Sequence, residues 1–206
     1  DYMRREYSEI WEFTMLLHRT GMRIGEARAL WWSDIDWNER FILVRRNLPS
    51  GRKPQDLTTT KTGERKVDMS PQLVRVLKRL RVKRKRQWLG KGKGATKWVF
   101  CLSTGNPLAT QDYRVKFERI QGKLKIRYRT PHQLRHTFAS ALLSAGEPFM
   151  WVAAQMGDKP QSVLDTYAHW IPTEPVKDED TRRGVERLDE RTDAFESGRE
   201  THTSEG

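Results

Sequence analysis

The stretch Thr130-Pro-His-Gln-Leu-Arg-His-Thr-Phe-Ala-Ser140 constrains this chain more than any other. Pro131 suits the first turn of a helix, where its missing N–H would be unpaired in any case. Gly146 is a favoured residue just past a helix end, so the spacing predicts a helix from Pro131 to about Ala145. Phe138, Leu142 and Leu143 form an apolar stripe that must face a core. His132 and Arg135, three apart, share a face at the opposite end. That end carries free backbone N–H groups and the positive pole of the helix dipole, so it favours an anion. A core helix with a polar, solvated start would read the same way, and the choice depends on the rest of the chain.

Charge points in the same direction. The chain has 39 Lys and Arg against 27 Asp and Glu, a net +12. From Thr173 to Gly206 there are 11 acidic and 6 basic residues, a net −5, so residues 1–172 carry +17. A compact unit that positive suits a polyanion, most often nucleic acid. Cys101 is the sole cysteine, which excludes an intrachain disulfide and a cysteine zinc cluster, and the five His lack metal-ligand spacing. No apolar run approaches the ~18–20 residues of a membrane span. The chain begins at Asp1, without methionine, as a piece of a longer protein would.

Periodicity and turn residues predict a mainly helical α+β unit over 1–172 with a small antiparallel sheet, followed by a charged tail over 173–206. Helices are expected at 8–20, with Ser8 as N-cap, and at 24–30. Ser70-Pro71 opens another that reaches about Trp88, and further helices are expected at 112–121, from Pro148 to Met156, and around Tyr167. Strands are expected at 41–45, 57–60 and 65–69, the last two joined as a hairpin at Lys61-Thr-Gly-Glu64, with a short one at 98–101. Eight of the twelve residues from Arg75 to Arg86 are basic. Arg75, Lys78, Arg79, Lys83 and Arg84 are therefore candidates for DNA-backbone contacts, although a solvated face gives the same pattern. In the tail, Val185 and Leu188 are three apart and would form a small docking face on a helix.

Two more stretches complete the pattern: Thr20-Gly-Met-Arg-Ile-Gly-Glu-Ala-Arg-Ala-Leu30 upstream, and Gly157-Asp-Lys-Pro-Gln-Ser-Val-Leu-Asp-Thr-Tyr-Ala-His169 downstream. An Arg in a T-G-x-R-x-x-E frame, then H-x-x-R-H, then a late Tyr, in that order, resembles the catalytic domain of the tyrosine recombinases of the phage integrase family, over roughly residues 5–172. The resemblance implies the mainly helical catalytic fold of that family, a preceding DNA-clamping domain in the longer protein, and site-specific recombination of duplex DNA without metal or other cofactor. It further implies a prokaryotic or phage-encoded, cytoplasmic and nucleoid-associated protein, monomeric alone and tetrameric on DNA, whose tail docks on a neighbouring protomer. A type IB topoisomerase would use similar groups, and a DNA-binding protein of the same fold with weakened chemistry is the other alternative.

The residue types match the chemistry. Metal-free cleavage of a phosphodiester needs a nucleophile, cations for the non-bridging oxygens, a handler for the nucleophile's proton, and an acid for the leaving 5′-oxygen. The resemblance assigns the nucleophile to Tyr167 and the clamp to Arg23 and Arg135, whose guanidinium forks match phosphate oxygens. His132 would bond the phosphate or assist the tyrosine proton. Lys61 would be the acid, with Lys66 or Lys53 as substitutes. Glu26 would orient Arg23 or a neighbour, and His136 would support the fold near Glu26. One position departs from the pattern: Asp158 stands after Gly157, nine residues before Tyr167, where His or Trp is usual. An ionised carboxylate there would repel a phosphate, unless it points away and another donor such as His169 serves.

Overall fold

The computed structural model describes residues 2–90, 92, 96–172 and 184–189. Its helices are α1 (Tyr2–Glu6), α2 (Ser8–Thr20), α3 (Ile24–Arg28), α4 (Pro71–Leu89), α5 (Thr110–Lys123), α6 (Pro131–Ser144), α7 (Phe149–Met156) and α8 (Pro160–Tyr167). Its strands are β1 (Ile35–Asp36), β2 (Phe41–Val44), β3 (Arg46–Asn47), β4 (Thr58–Thr59) and β5 (Arg65–Asp68). The chain thus has the expected mainly helical layout with a small antiparallel sheet. No helix among the described residues is long and apolar enough to cross a membrane.

Local chemistry sets the helix ends. Ser70 Oγ accepts from Leu73 N–H at 3.3 Å, and Pro71 follows as the first helical residue, so α4 starts as the sequence predicts. Ser8 does not cap α2. It is the first residue of that helix, Tyr7 precedes it, and the Ser8 hydroxyl instead accepts from Lys83 Nζ at 2.6 Å. Gly21 ends α2 in the left-handed conformation, its N–H donating to Leu17 O at 3.0 Å.

Two apolar clusters hold the fold. The first gathers Phe13 and Leu17 of α2, Ile42 and Val67 of the sheet, Leu73 and Leu77 of α4, and Tyr113 of α5. The second gathers Phe138 and Leu142 of α6, Val152 of α7, Val163 and Tyr167 of α8, and also Val185 and Leu188 of the tail. Val185 is 0% exposed and Leu188 4%. The six described tail residues therefore lie against their own chain. Arg40 pairs with Glu186 at 2.9 Å, Arg187 with Glu147 at 3.1 Å and Arg19 with Asp189 at 3.1 Å. Asp189 also accepts from Ser70 Oγ and Gln72 N–H, both at 2.8 Å, which adds an anionic cap to α4 beside the neutral cap of Ser70. Residues 173–183 and 190–206 lie outside the described residues.

The sheet differs from the expected hairpin. β4 and β5 do not pair with each other. β5 pairs with β2 (Val44 opposite Arg65), whereas β4 pairs with β3 (Arg46 opposite Thr59). Arg45 thus faces the five residues 60–64, and the surplus leaves the ladder as a loop carrying Lys61. A short turn closes it, with Thr60 Oγ1 donating to Gly63 O. The expected strand at 98–101 reduces to isolated bridges, Trp31 to Trp98 and Cys101 to Pro107.

Candidate active site

The start of α6, the α2–α3 junction and the α7–α8 turn converge. Gly21 permits this approach, since a Cβ there would lie 2.5 Å from Phe138 Cδ1, and its φ of +60° suits glycine. Arg135, on the buried side of α6 and only 4% exposed, donates from Nη1 to Met156 O at 2.9 Å and to Gly21 O. It thereby ties α6 to both other segments. Arg23, 31% exposed, donates from Nη2 to Gly157 O at 3.0 Å.

Both guanidinium groups then meet on one carboxylate. Asp158 Oδ1 lies 2.5 Å from Arg23 Nη2, and Oδ2 lies 2.5 Å from Arg135 Nη2. The two cations therefore converge on a single anion, each holding a different oxygen. The sequence departure at position 158 points into this seat. A carboxylate and a phosphate present similar oxygen pairs to guanidinium groups, so an arrangement that holds the one has the chemistry to hold the other.

Glu26 supports the clamp from behind and is 2% exposed. It accepts from Arg23 N–H at 3.0 Å and Arg23 Nη1 at 3.1 Å, and from Arg65 Nη1 and Nη2 at 3.1 and 2.7 Å. Burial pushes its carboxyl up, but the hydrogen bonds and charge of Arg65, then Arg23, outweigh this and hold it below the ordinary range. Arg65 also donates from Nε to Gln155 O at 3.0 Å. A Cβ on Gly157, whose φ is +67°, would lie 2.7 Å from Arg65 Cζ, so this guanidinium packs flat on the turn that carries Asp158. Sequence reading assigned Arg65 only to a strand. Nothing in its local pattern separates it from its basic neighbours.

Tyr167 is the last residue of α8 and 7% exposed. Its hydroxyl shares a 2.6 Å hydrogen bond with His136 Nδ1. This corrects the expected place of His136: it stands at the tyrosine, not beside Glu26. A signal was available, because His132 and His136 are four apart and thus share a helix face. Their rings meet edge to face at 4.7 Å. Burial pushes the Tyr167 phenol above its ordinary value, the Arg135 charge opposes this, and Asp158 adds to it. Burial pushes the His132 imidazole down, and the charges of His136 and Arg135 lower it further.

Two clefts flank this part of α6. One, of about 590 Å³, is lined by Arg23, His132, Arg135, Arg114 and Tyr128. The other, of about 410 Å³, is lined by His136, Tyr167, His169, Arg129 and Trp170. The two arginines and His132 thus line one cleft, and the phenol and His136 line the other.

The remaining candidates divide. Lys61 is exposed on the loop 60–64. Lys53 is also exposed, and Lys66 Nζ lies 4.4 Å from the Phe41 ring centre. On α4, Arg75, Lys78 and Arg79 are exposed. Arg84 is not a free backbone contact: it is buried, donating to Cys101 O at 2.8 Å and pairing with Glu9 at 3.1 Å. Lys83 likewise turns to Ser8 and Glu12 of α2. Both sit on the flank of α4 that packs on α2, which net charge along the sequence does not reveal. Among the described residues no three His, Cys, Asp or Glu side chains group as metal ligands.

Comparison with known proteins bears on the family and the fold. The chain is 28% identical over 178 residues to a XerC-like tyrosine recombinase of Caldanaerobacter subterraneus subsp. tengcongensis, covering 77% of this chain and 45% of that protein. It is 31% identical over 160 residues to the tyrosine recombinase XerC of Pediococcus pentosaceus, covering 75% and 47%. The chain spans about half the length of these relatives. Among solved structures, the Tn1549 transposon integrase in complex with a circular intermediate DNA superposes with a TM-score of 0.65 at 25% identity, over 79% of this chain and 55% of that one. The profile of the phage integrase family matches residues 4–174, and the chain belongs to that family.

Proposed function

We propose that this chain is the catalytic domain of a site-specific DNA recombinase that cuts and rejoins duplex DNA through a 3′-phosphotyrosine at Tyr167. The convergence of Arg23 and Arg135 on the two oxygens of one anion, one helix flank from a buried tyrosine, carries the reading. Its relatives include proteins named tyrosine recombinases and an integrase solved with DNA, which supports the same assignment.

In this reading the scissile phosphate takes the seat that Asp158 holds. Arg23 and Arg135 each hold a non-bridging oxygen and stabilise the charge as it shifts in the transition state. Glu26 fixes Arg23 in place, and Arg65 balances Glu26. His132, lining the clamp-side cleft, donates to the phosphate. The Tyr167 oxygen attacks phosphorus, and Lys61, on its long stem, protonates the leaving 5′-oxygen once DNA draws the loop 60–64 inward. The exposed Arg75, Lys78 and Arg79 add backbone contacts. Four protomers assemble on paired sites at the bacterial nucleoid, with tails exchanged between neighbours. The chemistry needs cations and a nucleophile, and neither a metal nor an organic cofactor has a part in it.

The test is covalent capture. A nicked suicide duplex, chosen from a random-core pool for capture by the wild-type chain, should yield a protein–DNA adduct that survives denaturation and excess EDTA. Tyr167→Phe should bind the same duplex and yield none. An adduct in Tyr167→Phe would remove Tyr167 from this role, and loss of the wild-type adduct on chelation would overturn the metal-free chemistry.

A further inference from the structure

The reading above leaves open what receives the tyrosine proton. A buried phenol does not ionise readily by itself, since burial disfavours the anion. It needs a base within hydrogen-bond reach as it attacks. His132 lines the cleft of the two arginines and is exposed, with its ring edge against His136. Among the described residues, His136 is the hydrogen-bond partner of the phenol: its Nδ1 is 2.6 Å from the Tyr167 hydroxyl, and its ring centre is 5.6 Å from the tyrosine ring.

We propose that His136 is the general base of strand cleavage, its Nδ1 taking the phenolic proton of Tyr167 as that oxygen attacks phosphorus. The proposal rests on the reading of Tyr167 as nucleophile. In the step, the Tyr167 Oη–P bond forms and the P–O5′ bond breaks. The phenolic proton moves to His136 Nδ1, and the 5′-oxygen leaves with a proton from the acid assigned to Lys61. In rejoining, the 5′-hydroxyl returns its proton to the amine of Lys61 as it attacks, the phosphotyrosine bond breaks, and His136 returns its proton to the phenolate. The step requires the tautomer with the proton on Nε2, so that Nδ1 accepts. It also separates the labour of the two histidines, His132 for the phosphate and His136 for the nucleophile. The (i, i+4) spacing on α6 places both on one face between the two clefts.

The groups facing this pair are His132 from α6, His169 from the turn after α8, and Arg129 from the segment before α6. Arg135 and Asp158 act on the phenol by charge. Two measurements decide the matter. In the DNA-free protein labelled with ¹⁵N-histidine, with His136 assigned through His136→Gln, the His136 signals at pH 8 should show protonated Nε2 and an accepting Nδ1. The opposite tautomer would overturn the proposal whatever the DNA experiment gives.

The second measurement is single-turnover adduct formation on the suicide duplex across pH 6–10. His136→Gln keeps a polar group beside the phenol but removes the base. It should be slower by ~10²–10³ near neutral pH, with the deficit starting to shrink towards pH 10 as a growing fraction of the phenol ionises without help, although burial holds its midpoint above the ordinary ~10. Added imidazole should restore part of the rate to His136→Gly. A deficit that is the same at every pH and is not rescued would make His136 a packing residue and overturn its role as base. So would finding this pH profile in His132→Gln instead. Adduct formation by Tyr167→Phe would strike the nucleophile reading itself, while the tautomer measurement still judges His136.

Discussion

Asp158 and Arg135 share a 2.5 Å ion pair, and the second carboxylate oxygen of Asp158 is equally close to Arg23. Both cations are therefore paired with this one carboxylate in the chain without DNA. A phosphate can enter only by displacing the carboxylate or by accepting a third charge beside it. At ~4 Å a like charge costs about 1 kcal/mol in water and about 4 kcal/mol near a protein surface. Asp158→Asn removes that cost and should raise inorganic phosphate affinity by ~10-fold or more, measured by phosphorus NMR line broadening or calorimetry. Single-turnover cleavage should rise with it, and Asp158→His, which adds a donor, should be faster still. Because Asp158→Asn leaves Arg135 buried without its anion, its melting temperature should fall in low salt and recover on adding phosphate. No change in phosphate affinity would mean that the carboxylate leaves the seat without cost.

Glu26 supplies an acid-sensitive term in stability. Its folded carboxyl titrates below the ordinary value, so its contribution is complete above that value and disappears as pH falls through the folded one. Urea midpoints should therefore drop on acidification below about pH 4, the ordinary carboxylate range. Glu26→Gln should lower stability at pH 7 by about 3 kcal/mol, since it leaves Arg65 and Arg23 facing a neutral amide, and should flatten this acid limb. An unchanged acid limb in the mutant would place the sensitivity in other carboxylates.

The two clamp arginines should fail differently. Arg135 is 4% exposed and holds the carbonyls of Gly21 and Met156, so Arg135→Ala removes a tie between three segments as well as a cation. Arg23 is 31% exposed and grips the α7–α8 turn more loosely. Both Ala variants should lose cleavage by ~10² or more, the scale of one preorganised donor. Only Arg135→Ala should also melt clearly lower. DNA affinity should change far less in either, because many basic residues share the backbone contacts. Equal losses of affinity and cleavage would reduce the clamp to an ordinary binding contact.

Legibility in the sequence followed how local each determinant was. Pro131 and Gly146 bracket α6, Ser70-Pro71 starts α4, and Gly21 ends α2, because caps and turns are decided within a few residues. The convergence of Arg23, Arg135 and Asp158 joins Arg23 to residues more than 100 positions away, and only the resemblance to a family anticipated it. His136 shares its helix face with His132 at i−4, so its contact with Tyr167 follows the helix period, which an assignment by motif alone does not use. Arg84 and Lys83 looked like DNA contacts because charge counts ignore which flank of a helix packs. The division of 58–68 between two sheets depends on a surplus of residues opposite Arg45, and strand propensity carries no record of a partner's length.

The tail gives the last prediction. Val185 and Leu188 are buried with Phe138, Leu142, Val152 and Val163, and Asp189 caps α4 through Ser70 and Gln72. Burying a Val or Leu side chain contributes about 1.5–3 kcal/mol. Truncation after Pro172 should therefore lower the melting temperature of the free chain, an effect that a solvated tail would not produce. The same apolar seat exists on every protomer, so a tail that leaves its own chain can fill a neighbour's without loss of buried area, which is the condition for exchange. Val185→Asp with Leu188→Asp should weaken assembly on paired DNA sites, scored by gel shift, more than binding to a single site. Mixing should then separate cis from trans. A truncated protomer retains the seat, and a double-Asp protomer lacks a competent tail, so neither supplies one, whereas wild type supplies its own. Adding wild type to truncated chains on paired sites should restore mixed assemblies if tails exchange. If truncated chains enter assemblies no better with wild type than alone, the tail serves its own chain only, and its apolar pair is a clasp of the α6–α8 core.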